Sequence, residues 1–190
     1  MYEKLHLTFN QHIPLSDEDW ALITERFHPV SYKKKDKLID IDQISRHFYF
    51  INSGLLRLYG YKEGEEKTLF FFSENMIAGI VESYLEKSPS KLVLEALEDT
   101  EILAIHGKDL QELYKISPDL TRIGLLLTQY RVSYLMKFFS SFVLDTPEER
   151  YRKFMEEHPD LLLRVPQHLI ASFLGITPVS LSRIRKRISK

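Results

Sequence analysis

Between Val30 and Ile105 the apolar residues come in strand-length runs: VSYKKKDKLIDI, RHFYFINSG, LLRLYGYKEGEEKTLFFF, SKLVLEAL and TEILAIHG. Asn52-Ser53-Gly54, Glu63-Gly64-Glu65 and Glu98-Asp99-Thr100 separate them, and such residues mark turns. Many short strands joined by turns imply an antiparallel barrel or roll. Two segments break the pattern. Leu15 to Phe27 reads as a short helix, with Ser16 as cap and Pro29 as its end. Met76 to Glu86 reads as a helix inserted between strands, either beside a ligand site or plugging the roll. The Lys33-Lys34-Lys35 run is expected on an exposed strand edge, where lysines discourage pairing.

After Gly107 the chain becomes helical. KDLQELYKI is one helix, and Ser117-Pro118 starts a longer one. In it Leu120, Ile123, Leu127, Tyr130 and Tyr134 recur at coiled-coil spacing and form the expected dimer seam. Leu125, Leu126, Leu135 and Phe139 make the other side apolar as well. A helix apolar on two faces needs two partners. One is its own roll; the other is the same helix of a second subunit, unless the helix is simply buried in a monomer core. Asp145-Thr146-Pro147 is a strong helix start and a domain boundary. The expected divisions are residues 1–116, a roll-type sensor domain; 117–144, a long helix and hinge; and 145–190, a helical domain.

That last domain ends on IASFLGITPVSLSRIRKR. Gly175 supplies the positive φ of a tight turn between two helices. Thr177 caps the second helix and Pro178 opens it. On a helical wheel Leu181, Ile184 and Ile188 face inward, while Val179, Ser182, Arg183, Lys186 and Lys190 face outward, flanked by Arg185 and Arg187. Ala171 allows a close crossing of the two helices. This is a helix-turn-helix pattern, with a second helix able to enter a DNA major groove. The residues expected at DNA are Thr177, Pro178, Val179, Ser180, Ser182, Arg183, Lys186 and Arg187. Arg183 suits a guanine edge; Ser180 and Ser182 suit phosphate oxygens; Lys186, Arg187 and Lys190 add salt-dependent attraction. Charge agrees. From Leu161 onward there is no Asp or Glu and six Lys or Arg, which leaves −7 on the rest of a chain whose net charge is −1. An acidic body with a basic end points to a polyanion partner.

Cysteine is absent, which excludes disulfides, thiolate metal sites and iron–sulfur clusters. The seven histidines are scattered without metal-ligand spacing. There is no phosphate loop or nucleophile elbow, and no enzyme is expected. The opening residues do not read as a signal peptide, and no run spans a bilayer, so a cytoplasmic location is expected. Two rival readings are a ligand-binding or protein-interaction module with no specific DNA target, and a cupin-type enzyme, which needs His and carboxylate ligands inside the roll.

FYFINSGLLRLYGYKEGEEKTLFFFSENMIAG, the helix after Ser117 and LIASFLGITPVSLSRIRK together resemble the Crp/Fnr family (cyclic-AMP receptor protein and fumarate–nitrate regulator) of bacterial transcription factors. The resemblance covers nearly the whole chain. It implies an α+β fold: an N-terminal antiparallel β-roll of cyclic-nucleotide-binding type (a double-stranded β-helix), a long dimerisation helix, and a C-terminal helix-turn-helix domain, here without a C-terminal wing. It also implies a homodimer on an inverted-repeat promoter site of double-stranded DNA, in contact with RNA polymerase. The chain departs from the pattern at the effector. Ala78-Gly79-Ile80 lacks the acid that would hold a ribose, and Pro89-Ser90-Lys91 lacks the arginine that would hold a cyclic phosphate. Cyclic AMP is therefore not the expected effector, and no cofactor is expected. The candidate effector pocket is Gly79, Glu82, Ser83, Ser90, Lys91 and Tyr130, with Ser90 facing in and Lys91 out. Pro178 and Val179 replace the family's Arg-Glu pair, and Arg183 alone matches its base-reading arginine.

Overall fold

A computed structural model describes residues 1–188. The chain divides into two compact units: Met1–Tyr59 with Phe71–Gln129, and Gly60–Phe70 with the chain from Tyr130 onward. This division differs from the expected one. The long helix is shared between the units, and the tip of a β-hairpin joins the C-terminal helices.

The first unit opens with helix α1 (Glu3–Asn10), which the sequence reading did not foresee. Its two inward residues, Leu5 and Phe9, lie one turn apart and are buried, but two apolar positions are too few for a visible period. Helix α2 (Asp17–Arg26) starts as expected: the Ser16 hydroxyl accepts the Asp19 amide at 3.1 Å. Strands β1 (His28–Tyr32), β8 (Thr100–His106), β3 (His47–Ser53) and β6 (Ile77–Ala78) form one four-stranded sheet in that order. Strands β2 (Lys37–Ile39), β7 (Leu92–Ala96), β4 (Leu56–Lys62) and β5 (Glu65–Phe72) form the second. The resolved pairings β1–β8, β3–β8, β3–β6 and β2–β7 are antiparallel. This is the expected β-roll.

Two local expectations are corrected. Lys33–Lys35 is not a strand edge but the turn between β1 and β2. Asp36 accepts the Lys33 amide at 2.7 Å, Asp99 receives the Lys33 ammonium at 2.7 Å, and Lys35 takes φ 76°. The Met76–Glu86 segment is not one helix: it splits into β6 and a short helix α3 (Val81–Glu86). Ile77 pairs with Phe50 and Ala78 with Tyr49, so strand pairing overrides a segment whose apolar residues suit either state.

Helix α4 (Gly107–Ile116) follows β8, and Pro118 begins α5 (Pro118–Leu144). The Ser117 hydroxyl accepts the Leu120 amide at 3.2 Å. Leu5, Phe9, Ile23, Phe27, Phe50, Leu103, Ile105, Leu113, Leu120 and Ile123 form one buried cluster, against which Leu127 packs. The expected dimer seam is thereby corrected. Leu120, Ile123 and Leu127 face the chain's own core, and Tyr134 is half-buried; only Tyr130 of the five is exposed. The exposed stripe keeps Leu125 and Phe139 of the second apolar side and adds Val132, Met136 and Val143. Its spacings of seven, four, three and four residues are those of a coiled-coil seam.

In the second unit, helices α6 (Pro147–Glu157), α7 (Leu161–Arg164), α8 (Gln167–Phe173) and α9 (Pro178–Ile188) follow the end of α5. Thr146 and Glu149 form a full capping box at α6. Phe173 is the centre of the packing: it stacks on Phe138 at 4.7 Å between ring centroids and meets Phe154 at 5.7 Å. Among the described residues no helix is long and apolar enough to cross a membrane.

Candidate nucleic-acid interface

The turn between α8 and α9 is closed by backbone bonds. The Gly175 amide donates to the Ser172 carbonyl at 3.0 Å and the Ile176 amide to the Ala171 carbonyl at 3.0 Å. This pair of bonds ends a helix when the residue after its cap is left-handed, and Gly175 has φ +67°. A Cβ there would also lie 2.6 Å from the Phe142 ring. Glycine is required on both counts. Arg150, which the sequence reading passed over, braces the same turn. Its Nε donates to the Leu174 carbonyl at 3.2 Å, its Nη1 to the Asp145 carbonyl at 2.9 Å, and its guanidinium lies over Phe142. An arginine inside an amphipathic helix shows no such role in one dimension.

Helix α9 presents the expected two faces. Leu181 and Ile184 are buried, while Pro178, Val179, Ser182, Arg183, Arg185, Lys186 and Arg187 are exposed. Thr177 is the cap: its hydroxyl accepts the Ser180 amide at 3.1 Å and lies 2.9 Å from the Ser180 hydroxyl. Ser180 therefore serves the first turn of the helix through its amide and pairs its hydroxyl with that of Thr177. Arg187 is also partly redirected. It reaches Glu148 on α6 at 3.0 Å, and that carboxylate also receives Arg152 at 3.0 Å. The two arginines, Arg152 foremost, hold the Glu148 carboxyl below its ordinary range. Arg183 makes no ion pair among the described residues. Lys190 lies outside them, as does the chain end on which the expected lack of a wing depends.

Polar and aromatic contacts join the hairpin tip to the helices of this unit. The Thr68 amide donates to the Ser172 hydroxyl of α8 at 2.9 Å, and Phe70 packs edge-on against Tyr134 while Arg131 covers its ring. Tyr134 also lies 3.0 Å from His158 Nε2. Burial pushes the Tyr134 phenol up to about 12 and holds His158 below the ordinary histidine range. A hairpin tip and a helix more than a hundred residues apart leave no joint signal in sequence.

The candidate effector residues do not assemble into a free donor set. The Ser83 hydroxyl accepts the Ser45 amide at 3.0 Å and donates to the Ser88 carbonyl at 2.7 Å. The Ser90 hydroxyl donates to the Leu92 carbonyl at 2.7 Å and accepts the Leu92 amide at 3.0 Å. Ser90 is buried and Lys91 exposed, but both precede β7 and do not lie on a strand as expected; Glu82 is exposed. A Cβ on Gly79 would stand 2.8 Å from the Phe48 ring, so that glycine serves packing. Tyr130 belongs to the second unit. Of the scattered histidines, register brings His47 opposite His106, with ring centroids 5.0 Å apart, and burial lowers the His47 pKa. Among the described residues no group of three or more His, Cys, Asp or Glu is placed to hold a metal ion.

Residues 29–117 match the family described as Cyclic nucleotide-binding domain. No curated protein matches the chain. FixK2 from Bradyrhizobium japonicum is 20% identical with a TM-score of 0.74, over 86% of this chain and 84% of that one. The c-di-GMP responsive global regulator CLP of Xanthomonas campestris is 17% identical with a TM-score of 0.72, over 92% of both chains. A protein from Eubacterium rectale, named as a regulator of the crp/fnr family, is 19% identical with a TM-score of 0.70, over 92% and 84%. Residues 29–117 thus match the cyclic nucleotide-binding domain family, and the chain shares its fold with FixK2, CLP and the Eubacterium rectale protein.

Proposed function

We propose that the protein is a transcriptional regulator that binds an inverted-repeat site in double-stranded DNA as a homodimer. The observation that carries the reading is helix α9: two buried apolar residues behind an exposed front of Val179, Ser182, Arg183 and Lys186, on a turn braced by Gly175 and Arg150. Such a helix can lie in a major groove, with Arg183 offering its fork to guanine and Lys186 adding backbone attraction. The exposed apolar stripe of α5 is the proposed dimer contact, and in a two-fold dimer half-sites stand about 34 Å apart. RNA polymerase is the implied protein partner, the cytoplasm the implied location, and no reaction is assigned. The test is selection of bound duplexes from a random pool. Arg183→Ala should cost about 1–3 kcal/mol and relax preference at one base pair per half-site. Unchanged affinity and preference in that variant would sink the assignment, and a protein that selects no DNA would be a ligand- or protein-binding module instead.

In this reading cyclic AMP is not the effector. A cyclic phosphate taken into the roll needs a cation and fixed donors, since an unpaired buried anion is costly. Position 90 is a serine whose hydroxyl is engaged with Leu92, and Lys91 beside it is exposed. Calorimetric titration with cyclic AMP and cyclic GMP should show no binding. Micromolar affinity for either, with tighter DNA binding, would overturn this part of the proposal.

A further inference from the structure

The first turn of α9 carries an apolar front at the end of a basic face. Val179 is 61% exposed, next to the exposed Pro178. A single exposed valine is ordinary on a protein surface. This one is set apart by its neighbours. It stands three, four and seven residues before Ser182, Arg183 and Lys186, so all four share one stripe of the helix. Two polar side chains of this turn are engaged with each other: the Thr177 hydroxyl accepts the Ser180 amide and lies 2.9 Å from the Ser180 hydroxyl, while Pro178 has no amide hydrogen. On the stripe shared with Arg183 and Lys186, the side chain this turn presents is the hydrocarbon of Val179.

We propose that Val179 is a specificity-determining residue that reads the C5-methyl group of a pyrimidine in the major groove; this rests on the DNA-binding reading above. The major-groove edges of the bases are donors and acceptors, with the thymine methyl as their one apolar group. Setting valine against any other edge leaves a desolvated polar atom without a partner, which is unfavourable. A β-branched side chain suits the task because its χ1 is already restricted. Position follows from geometry. Val179 and Arg183 are four residues apart, about 6 Å along a helix axis, against a rise of about 3.4 Å per base pair. The thymine lies one or two base pairs from the guanine read by Arg183. The same contact accepts 5-methylcytosine and discriminates against unmethylated cytosine.

The experiment uses the full chain and a duplex taken from the random-pool selection. Each thymine within two base pairs of the Arg183-dependent position is replaced by uracil, which removes the methyl group and leaves every hydrogen-bonding group in place. One such replacement should weaken wild-type binding about fourfold per half-site, the worth of one buried methyl group. Cytosine at that position should bind more weakly still, and 5-methylcytosine should recover about fourfold relative to it. Val179→Ala should diminish the thymine–uracil difference yet keep the guanine preference and the salt dependence. Wild-type protein indifferent to every such uracil, or Val179→Ala retaining full discrimination, overturns the inference while leaving DNA recognition intact. A pool that yields no selected sequence overturns the DNA reading and this inference with it.

Discussion

Phe139→Glu is expected to turn the protein into a monomer and to weaken its binding to a full inverted repeat about 100-fold or more. Phe139 is 63% exposed in the structure of the single chain, in line with Val132, Met136 and Val143 on one face of α5. An aromatic residue at the centre of such a stripe is the kind of side chain that dominates an interface. A two-fold axis presents it twice, so one substitution places two carboxylates in the contact. Burying them without partners is unfavourable, and separating the chains avoids the cost. DNA binding falls with dimerisation because one half-site contact must then hold alone. Sedimentation at micromolar protein is the measurement, with Phe139→Leu as the control that should remain dimeric. Wild-type sedimentation and DNA affinity in Phe139→Glu would show that α5 is not the contact. Glutamate at Leu120 or Ile123 is no substitute, since both are buried in the chain's own core and the variant would report on folding.

Phe173→Ala is expected to destabilise the second unit by about 3–5 kcal/mol, the usual range for removing a buried ring. Phe173 is 4% exposed and contacts both Phe138 and Phe154. It is also the last residue of α8, directly before the turn that sets α9. The cavity would thus form behind α9, and a loss of this size is a large fraction of the stability of a small domain. Hydrogen exchange at the amides of α8 and α9 should accelerate accordingly, while the β3 and β8 amides should keep their protection. Phe173→Leu should recover part of the loss. A change below about 1 kcal/mol in the unfolding free energy would mean that the aromatic cluster does not anchor the helix pair.

Where one face of a segment is apolar and the ends carry their own caps, sequence is enough. Helix α9 is such a case. Leu181 and Ile184 can be buried in only one orientation, which leaves Arg183 and Lys186 in water. Thr177, Pro178 and Gly175 fix the ends through local geometry and contacts a few residues apart. The strands of the roll and the helix start at Asp145-Thr146-Pro147 were legible for the same reason: period and turn chemistry are local.

Helix α5 is the opposite case. It carries two apolar stripes of similar spacing, and either could have faced the roll. The order of strands and the placement of α1 and α2 decided that Leu120 and Ile123 go inward, so the first part of the expected seam became core, while Leu125 and Phe139 of the other side were left at the surface. Nothing in the spacing distinguishes the two, because burial energy depends on area and not on which partner covers it. The same holds for Ser180 and Ser83. A hydroxyl's chemistry is plain from sequence, but whether it is free for a ligand depends on which backbone groups the fold brings within 3 Å. Ser83 found the Ser45 amide and the Ser88 carbonyl, and Ser180 found Thr177. The sequence by itself determined the period of each element, its caps and the charge on its outer face. Only the tertiary structure decided which of two equivalent faces is covered and which polar groups are already satisfied, since both depend on residues distant in the chain.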